Sequence, residues 1–365
     1  MRPDRTSACA PAGPPGAAAT LEQVPGPAGT RRRGDDLVGS SVGGDPGQQR
    51  PGAEPHPGFE HDALVYDSPD ELAAVAGRFL LDGLAAGEAA VIAVSAETTD
   101  ALREAVGDDP RVVVLERHAL YRSRTPTAIT TFRKAAPEYA APGNRIRIVG
   151  EVDFGTTVAD WREWQRYESV INAAFAGLPL SGLCVFDNRR LPEPLLASAR
   201  HTHPHLRTPV GRVPNPDYVD PATYLTTLPI PDEPLEATPP ALAADGVTDF
   251  IGLRHTVRDT LATVDGPADL VEDFLLAVDE MCSNAVRHGG PPVGVRLWSA
   301  PGTLVCTIRD SGRGLDDPFA GYGPAHGEDL SHGGMGLWLA RQLCDHVAIR
   351  RDGHGTSVRL TTHWG

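Results

Sequence analysis

The segment DEMCSNAVRHGG, residues 279–290, has the spacing of a helix that carries chemical groups on one face. Glu280, Asn284 and His288 follow one another at intervals of four residues, so a helix places their side chains in one polar stripe. A solvated face of an amphipathic helix would give the same stripe. Apolar residues occupy the neighbouring positions and supply surface for packing: Phe274, Leu275, Ala277, Val278, Met281 and Ala285. The sequence downstream must distinguish a surface from a site.

Two glycine-containing motifs follow at places where a strand ends or a helix begins. DSGRG, residues 310–314, directly follows a predicted strand, so Asp310 lies at the strand end. Gly312 and Gly314 in this motif permit close approach to the backbone. GGMGL, residues 333–337, opens a predicted helix, so free backbone amides and the positive end of the helix dipole face whatever binds there. Either motif alone is a common turn and a weak signal.

A third motif, GTSV at residues 355–358, begins a predicted strand and offers the hydroxyl of Thr356. With the helix of residues 279–290, these motifs make residues 244–363 resemble the GHKL ATPases, in particular the serine-kinase anti-sigma factors. DEMCSNAVRHG is similar to the N box of that family, DSGRG to its G1 box and GGMGL to its G2 box. The resemblance implies an α+β sandwich of the Bergerat type that binds ATP and Mg²⁺.

The resemblance also implies a role for each matching residue. Glu280 matches the acidic residue that activates the attacking hydroxyl, and Asn284 matches the position that ligates Mg²⁺. Asp310 matches the carboxylate that accepts a hydrogen bond from the adenine amino group. His288 has the alternative role of a cation at the end of the helix. The remaining matches lie beside the adenine or the phosphates: Gly312, Gly314, Gly334, Gly336 and Thr356.

Two other functional classes share part of this pattern. A sensor histidine kinase needs a phosphoacceptor histidine on a dimerising helix, and His255 in LRHTVRD is the candidate nearest the required place. The acidic residue and later proline that usually accompany such a histidine are absent, and the predicted lid, residues 315–333, is short. A non-catalytic binding module that uses ATP only as a clamp has no need of Glu280. The pattern therefore favours an anti-sigma kinase over both alternatives.

Composition excludes several further classes. The chain of 365 residues has a formal net charge of −15 and a single lysine, Lys134, so it offers no broad basic surface for nucleic acid and no GxxxxGK[ST] phosphate loop. Its five cysteines form no CxxC pair, which fits a reducing cytoplasm and predicts no zinc site. No run of 18 apolar residues is present. We therefore expect a cytoplasmic protein with no membrane span.

The chain divides into four regions by composition and periodicity. Residues 1–57 are rich in proline, glycine, alanine and arginine, and are predicted to be a disordered tail. In residues 58–207 strand-like apolar runs alternate with helical segments, which predicts an α/β domain with a parallel, helix-covered sheet. Residues 208–243 are proline-dense and are predicted to be a linker. Residues 244–363 combine helical segments with a strand pair and a final hairpin, an α+β pattern.

The first domain also resembles a known family, the MEDS sensory domain, whose sheet is RecA-like in outline. The similarity lies in five segments: HDALVYDS (61–68), GEVDF (150–154), YESVIN (167–172), LCVFDNRRLP (183–192) and HTHPHL (201–206). Polar residues in these segments are candidates to line a small-molecule pocket, with capped helix ends or satisfied core groups as the alternative: His61, Tyr66, Glu151, Glu168 and His203. The alternate histidines His201, His203 and His205 lack nearby carboxylates and do not indicate a metal site.

The two resemblances together imply a cytoplasmic regulator in which a sensory domain is fused to an anti-sigma ATPase. Such a protein would bind ATP and Mg²⁺, hold a sigma factor away from RNA polymerase, and phosphorylate a serine or threonine of an anti-anti-sigma (STAS-type) partner. The sensory domain would bias which partner is engaged. A homodimer is the common assembly of this type of ATPase, and no direct contact with nucleic acid is expected.

Overall fold

The computed structural model of the chain describes five stretches: residues 58–117, 121, 124–139, 145–323 and 335–365. The tail for which the sequence predicts disorder lies outside these residues, as do Gly334 and most of the predicted lid. Among the helices that are described, none combines the length and the apolarity that crossing a membrane requires.

A seven-stranded sheet forms the first domain, in the order β3-β2-β4-β5-β1-β6-β7. Its strands are β1 Glu60–Tyr66, β2 Ala89–Ala93, β3 Val112–Val114, β4 Ile146–Gly150, β5 Leu180–Asp187, β6 His205–Thr208 and β7 Gly211–Pro214. All neighbouring strands are parallel except β6 and β7, which form an antiparallel pair at one edge. The prediction of a parallel α/β sheet is confirmed, with this edge strand as an addition.

Helices cover both faces of this sheet, as the continuous apolar runs of its central strands require. They are α1 Pro69–Ala85, α2 Ala96–Val106, α3 Thr125–Tyr139, α4 Val158–Ala174, α5 Glu193–Thr202 and α6 Pro221–Thr227. Helices α1 and α2 pack in one apolar cluster, and α3, α4 and α5 in another. Helix α2 begins after Ser95, whose side-chain oxygen accepts a hydrogen bond from the amide of Thr98 and so caps the helix.

The proline-rich stretch 208–243, which we predicted to be a linker, contributes elements to both domains. Strand β7 and helix α6 belong to the first domain, where the hydroxyl of buried Tyr224 lies 2.8 Å from Ser198 Oγ. A short 3-10 turn, Pro234–Ala237, then lies on the second sheet, where Thr307 donates a hydrogen bond to Glu236 at 2.6 Å. Prolines are tolerated here because they occupy the first turn of a helix or an edge strand.

A five-stranded antiparallel sheet forms the second domain, in the order β11-β12-β10-β9-β8. Its strands are β8 Leu242–Ala244, β9 Gly294–Ala300, β10 Thr303–Asp310, β11 His346–Asp352 and β12 Gly355–His363. The helices that pack with it are α7 Phe250–Leu261, α8 Ala268–Arg287 and α9 Gly336–Leu343. The predicted strand pair and final hairpin are confirmed, and Met281 and Cys282 are core residues. His255 is exposed on α7.

Candidate nucleotide site

Helix α8 places Glu280 and Asn284 beside the start of α9. A Cβ built on Gly336, the first residue of α9, would lie 2.8 Å from Glu280 Oε2 and 3.1 Å from Asn284 Nδ2. Glycine therefore allows the helix to begin this close to the two side chains. The adjoining face of α8 is buried because its apolar residues recur at helical spacing: Phe274, Ala277, Val278, Met281 and Ala285. The amide end of α9 thus adjoins a carboxylate and a carboxamide.

Asp310 ends strand β10 and is held by the turn that follows it. The amide of Gly312 donates a hydrogen bond to Asp310 Oδ1 at 2.7 Å, and the sheet register sets Asp310 opposite Thr356. The hydroxyl of buried Thr356 donates to the carbonyl of Gly312 at 3.2 Å. Gly314 has a φ of 77°, a left-handed conformation that favours glycine, and a Cβ there would meet the Thr356 hydroxyl. These contacts fix the position of the Asp310 carboxylate.

A cavity of about 580 Å³ lies between these elements. Its polar lining includes residues from the motifs singled out in the sequence, and these are Asn284, His288, Asp310, Gly314 and Thr356. Apolar side chains supply the rest of the walls: Met281, Ile308, Leu337, Ile349 and Val358. The volume falls within the range of small-molecule sites, about 300–1,000 Å³. An apolar slot with a carboxylate acceptor suits a flat base with an exocyclic amine, and the start of a helix suits phosphate.

The predicted site residues fall into three groups by location. Those that line the cavity are Asn284, Asp310, Gly314 and Thr356. Gly312 lies behind the lining and donates to Asp310, and a Cβ on Gly336 would meet both Glu280 and Asn284. Gly334 lies outside the described residues. His288 ends α8, where its amide donates to the Asn284 carbonyl at 2.9 Å, and it also lines the cavity.

Gly289 also belongs to this site, although the sequence motifs assign it no role. A Cβ on Gly289 would lie 2.6 Å from Asp310 Oδ1, so a larger residue would displace the carboxylate. The available signal was the glycine pair that ends the motif DEMCSNAVRHGG. The role of Gly289 depends on its contact with Asp310 at the end of β10, and the sequence around Gly289 does not predict that contact.

The donor atoms around Asn284 fit a hydrated Mg²⁺ ion. Asn284 Nδ2 has a 4.0 Å contact with Met281 Sδ, and Asn284 Oδ1 accepts no hydrogen bond within the described part of the chain. The carboxylate of Glu280 lies on the same side of Gly336. A carboxamide oxygen and a carboxylate are oxygen donors of the kind that Mg²⁺ prefers. Asn284 is therefore the residue that would hold the ion.

In the first domain, the five predicted pocket residues do not share one pocket. Glu168 Oε2 lies 3.2 Å from His61 Nε2 and 3.3 Å from His203 Nε2, in a buried cluster. Tyr66 lies five residues after His61 on β1, so strand alternation turns it to the opposite face of the sheet. Glu151 accepts a hydrogen bond from the amide of Ser95 at 2.9 Å, away from the cluster.

The alternate histidines also separate from one another. The ring of His201 lies 6.2 Å from that of Tyr224, and His205 Nδ1 lies 4.0 Å from Asp62 Oδ1. Of the three, only His203 enters the buried cluster with Glu168. Consecutive alternate residues diverge because the chain passes from the end of α5 into β6 at this point.

Helix α9 connects the cavity with the first domain. Its first residue adjoins Asn284, and at its other end the carbonyl of Gln342 accepts a hydrogen bond from Arg124 Nη1 at 2.8 Å. Just beyond α9, His346 Nε2 lies 2.9 Å from Asp160 Oδ1 on α4. Burial lowers the pKa of His346, but the hydrogen bond to Asp160 and the neighbouring carboxylates outweigh burial and raise it.

The segment after the DSGRG motif also contacts the first domain. Tyr322 is buried in the apolar cluster of α3, α4 and α5, and Phe319 packs against the same cluster while lining the nucleotide cavity. The guanidinium of Arg341 on α9 lies 4.3 Å from the centre of the Tyr322 ring. Arg341 Nη1 also lies 3.8 Å from Glu163 Oε2 on α4. The first domain therefore contacts two walls of the cavity.

Comparison with known proteins assigns both domains. Residues 60–204 match the family model MEDS, described as the MEthanogen/methylotroph, DcmR Sensory domain, and residues 247–362 match that of the histidine kinase-like ATPase domain. The serine-protein kinase RsbW of Bacillus licheniformis is 33% identical over 125 residues, which cover 31% of this chain and 78% of that protein. The chain belongs to the RsbW family of serine-protein kinases.

Other RsbW proteins also match about a third of the chain. RsbW of Bacillus velezensis is 30% identical over 127 residues, covering 32% of this chain and 79% of that protein. RsbW of Halalkalibacterium halodurans is 32% identical over 130 residues, which cover 33% of this chain and 77% of that protein. A solved structure of the RsbU and RsbW domains of a Mycobacterium tuberculosis protein has 22% sequence identity and a TM-score of 0.25. The match covers 34% of this chain and 32% of that one. The predicted fusion of a MEDS domain with an RsbW-type ATPase domain is confirmed.

Proposed function

We propose that the chain is an ATP-dependent serine/threonine kinase that phosphorylates a STAS-type anti-anti-sigma partner and sequesters a sigma factor. The placement of Glu280 beside Asn284 and the start of α9 carries the proposal. A carboxylate at that point can accept the proton of a hydroxyl that attacks the terminal phosphate. The printed name of the relatives, serine-protein kinase RsbW, supports the same reaction class.

Each wall of the cavity has a part in this function. Asp310 would accept a hydrogen bond from the adenine amine, and the apolar walls would exclude water from the base. The amides at the start of α9 would bind phosphate oxygens, and the Asn284 carboxamide would hold Mg²⁺. Bound Mg²⁺ supplies positive charge that offsets the charge of the phosphates. Glu280 would act on the incoming hydroxyl and have no part in binding the nucleotide.

Control by the MEDS domain is part of the proposal. Helix α9 has eight residues and so spans about 12 Å, which joins the phosphate end of the cavity to Arg124 of the MEDS domain. Phe319 joins the other wall to the MEDS core. A small shift of the MEDS domain would therefore move two walls of the site together, and phosphoryl transfer is sensitive to such positioning. That the protein forms a homodimer and that the MEDS domain binds a small molecule are still predictions from the sequence.

Two substitutions on α8 test the assignment of catalysis. Glu280→Gln keeps the size of the side chain and removes the base, so transfer to the partner should fall by about 10²–10⁴ while ATP affinity is unchanged. Asn284→Ala should weaken ATP·Mg²⁺ binding and transfer together. Glu272→Gln is the matched control, because Glu272 is exposed on the same helix. The measurements are ATP binding by calorimetry and phosphoserine or phosphothreonine on purified STAS-domain partners.

The outcomes separate the proposed kinase from its alternatives. Unchanged transfer in Glu280→Gln would remove the proposed base. ATP binding without transfer in the unmodified protein would favour the ATP-clamped binding module, and acid-labile phosphate on His255 would favour a histidine kinase. Affinity capture with and without ATP tests the partners: a sigma factor or a STAS-domain protein is expected. Recovery of core RNA polymerase or DNA in their place would contradict the proposal.

A further inference from the structure

We propose that four buried side chains of the MEDS domain bind a zinc-class divalent metal ion: His61, Glu168, Cys184 and His203. One donor atom from each lies within 4.8 Å of the others. His61 Nε2 is 3.2 Å from Glu168 Oε2 and 3.4 Å from Cys184 Sγ, and His203 Nε2 is 3.3 Å from the same carboxylate oxygen. Around a tetrahedral ion with bonds of about 2.0–2.1 Å, ligand atoms lie about 3.3–3.4 Å apart. The three short separations, 3.2, 3.4 and 3.3 Å, are those of neighbouring ligands around one shared ion.

The outer nitrogens of both imidazoles are engaged, which leaves the inner nitrogens facing the cluster. His61 Nδ1 lies 3.2 Å from Asn172 Oδ1, and Asn172 Nδ2 donates to three backbone carbonyls, so the Asn172 oxygen is the acceptor. His203 Nδ1 donates to the carbonyl of Ala199 at 2.8 Å. Both rings are thus held with hydrogen on Nδ1 and a lone pair on Nε2. Histidines that ligate metals are oriented by such bonds.

Without a cation, the cluster leaves buried polar atoms unsatisfied. Both carboxylate oxygens of Glu168 and Nε2 of His203 lack a hydrogen-bond partner among the described residues, although the two residues are 1% and 0% exposed. A proton from the thiol of Cys184 would satisfy His61 Nε2 alone. Protonation of both imidazoles would place two positive rings with centroids 3.9 Å apart. One divalent ion satisfies all the facing atoms together.

The types of ligand select the class of ion. Two imidazoles, a carboxylate and a thiolate are the nitrogen, oxygen and sulfur donors found in zinc sites, and Co²⁺ binds to similar sets. Mg²⁺ and Ca²⁺ prefer oxygen donors alone. The proposed ion therefore differs from the Mg²⁺ of the nucleotide site, and the two sites respond to different ions.

The fold supplies the four ligands from elements held together by the sheet. His61 lies on β1 and Cys184 on the adjacent strand β5, where the parallel register sets Cys184 opposite Ala63. Glu168 comes from α4, which covers this face, and His203 follows the end of α5. An apolar cavity of about 30 Å³ adjoins the cluster and includes His61 and Cys184 in its wall. The site is thus rigid and surrounded by apolar side chains.

Metal content of the full chain tests the proposal. The untagged, nucleotide-free protein is equilibrated with Zn²⁺ or Co²⁺, dialysed and measured by plasma mass spectrometry, with about one ion per chain expected. Cys184→Ser and Glu168→Gln should weaken Zn²⁺ binding by at least about 100-fold, and Asn172→Ala by about 10- to 100-fold through loss of ring orientation. Cys282→Ser, at a buried cysteine of the other domain, should retain the ion.

The Co²⁺ spectrum of the unmodified protein gives a readout that does not depend on any variant. The unmodified protein should show intense tetrahedral bands and a thiolate charge-transfer band, and Cys184→Ser should lose the latter. Zinc that dialyses away from the unmodified protein overturns the proposal. Equal metal content in folded Cys184→Ser and Cys282→Ser also overturns it, as does a Co²⁺ spectrum without a thiolate band.

Discussion

Substitution of Gly336 by alanine should stabilise the protein and slow its chemistry. The added Cβ would lie 2.8 Å from Glu280 Oε2, whereas ordinary contact begins at 3.4 Å, so the carboxylate must move by about 0.6 Å. The oxygen is the far end of a flexible side chain, so the fold can accommodate this shift. Replacing glycine by alanine also stabilises the folded protein by about 0.4–1 kcal/mol, because the unfolded chain loses conformational entropy. A misplacement of about 1 Å can cost 10²-fold in rate, so a shift of this size should cost roughly 10-fold.

Three measurements on Gly336→Ala separate these effects. Thermal unfolding should give a melting temperature equal to or above that of the unmodified protein, calorimetry should give a weaker ATP affinity because Asn284 is also crowded, and transfer to the STAS partner should fall. The control is Gly353→Ala, because a Cβ on Gly353 meets no atom within 4 Å. A folded Gly336→Ala protein with unchanged ATP affinity and unchanged transfer would refute the proposal that α8 and the start of α9 together bind the phosphates of ATP.

Three further predictions follow from the site and the domain contacts. Asp310→Asn exchanges an acceptor for an amide and should weaken ATP binding by about 5- to 150-fold, the equivalent of about 1–3 kcal/mol; unchanged affinity in calorimetry contradicts the assignment. The pKa of His346 is raised in the folded protein. The stabilisation that its ion pair with Asp160 contributes is therefore fully present below about pH 6.5 and is lost as the pH rises through the raised pKa. The difference in melting temperature between the unmodified protein and His346→Gln should therefore shrink from about pH 6 to about pH 9, and a constant difference counts against the pair. A fragment of residues 229–365 should unfold cooperatively at a higher temperature than residues 245–365, which lack strand β8 and the 3-10 turn; equal melting temperatures would show that these elements add nothing.

The sequence alone predicted the elements whose signal is local. The polar stripe of Glu280 and Asn284 depends only on the helical period, and the placement of Asp310 depends only on a strand that ends before a glycine turn. The alternation of apolar runs and helical segments likewise predicted the parallel sheet of the first domain. Such signals survive in one sequence because neighbours along the chain are also neighbours in the element.

Tertiary structure decided what depends on residues distant along the chain. The proline-rich stretch 208–243 gave no sign that its halves pair with different sheets, because an edge strand of four residues carries too short a pattern. The cluster of the proposed metal site belongs to no sequence motif, because His61 and Cys184 are 123 residues apart and meet through the pairing of β1 with β5. Glu168 joins them because α4 covers that face of the sheet. The sequence spacing of such residues does not predict the cluster, because strand register and helix packing set its geometry.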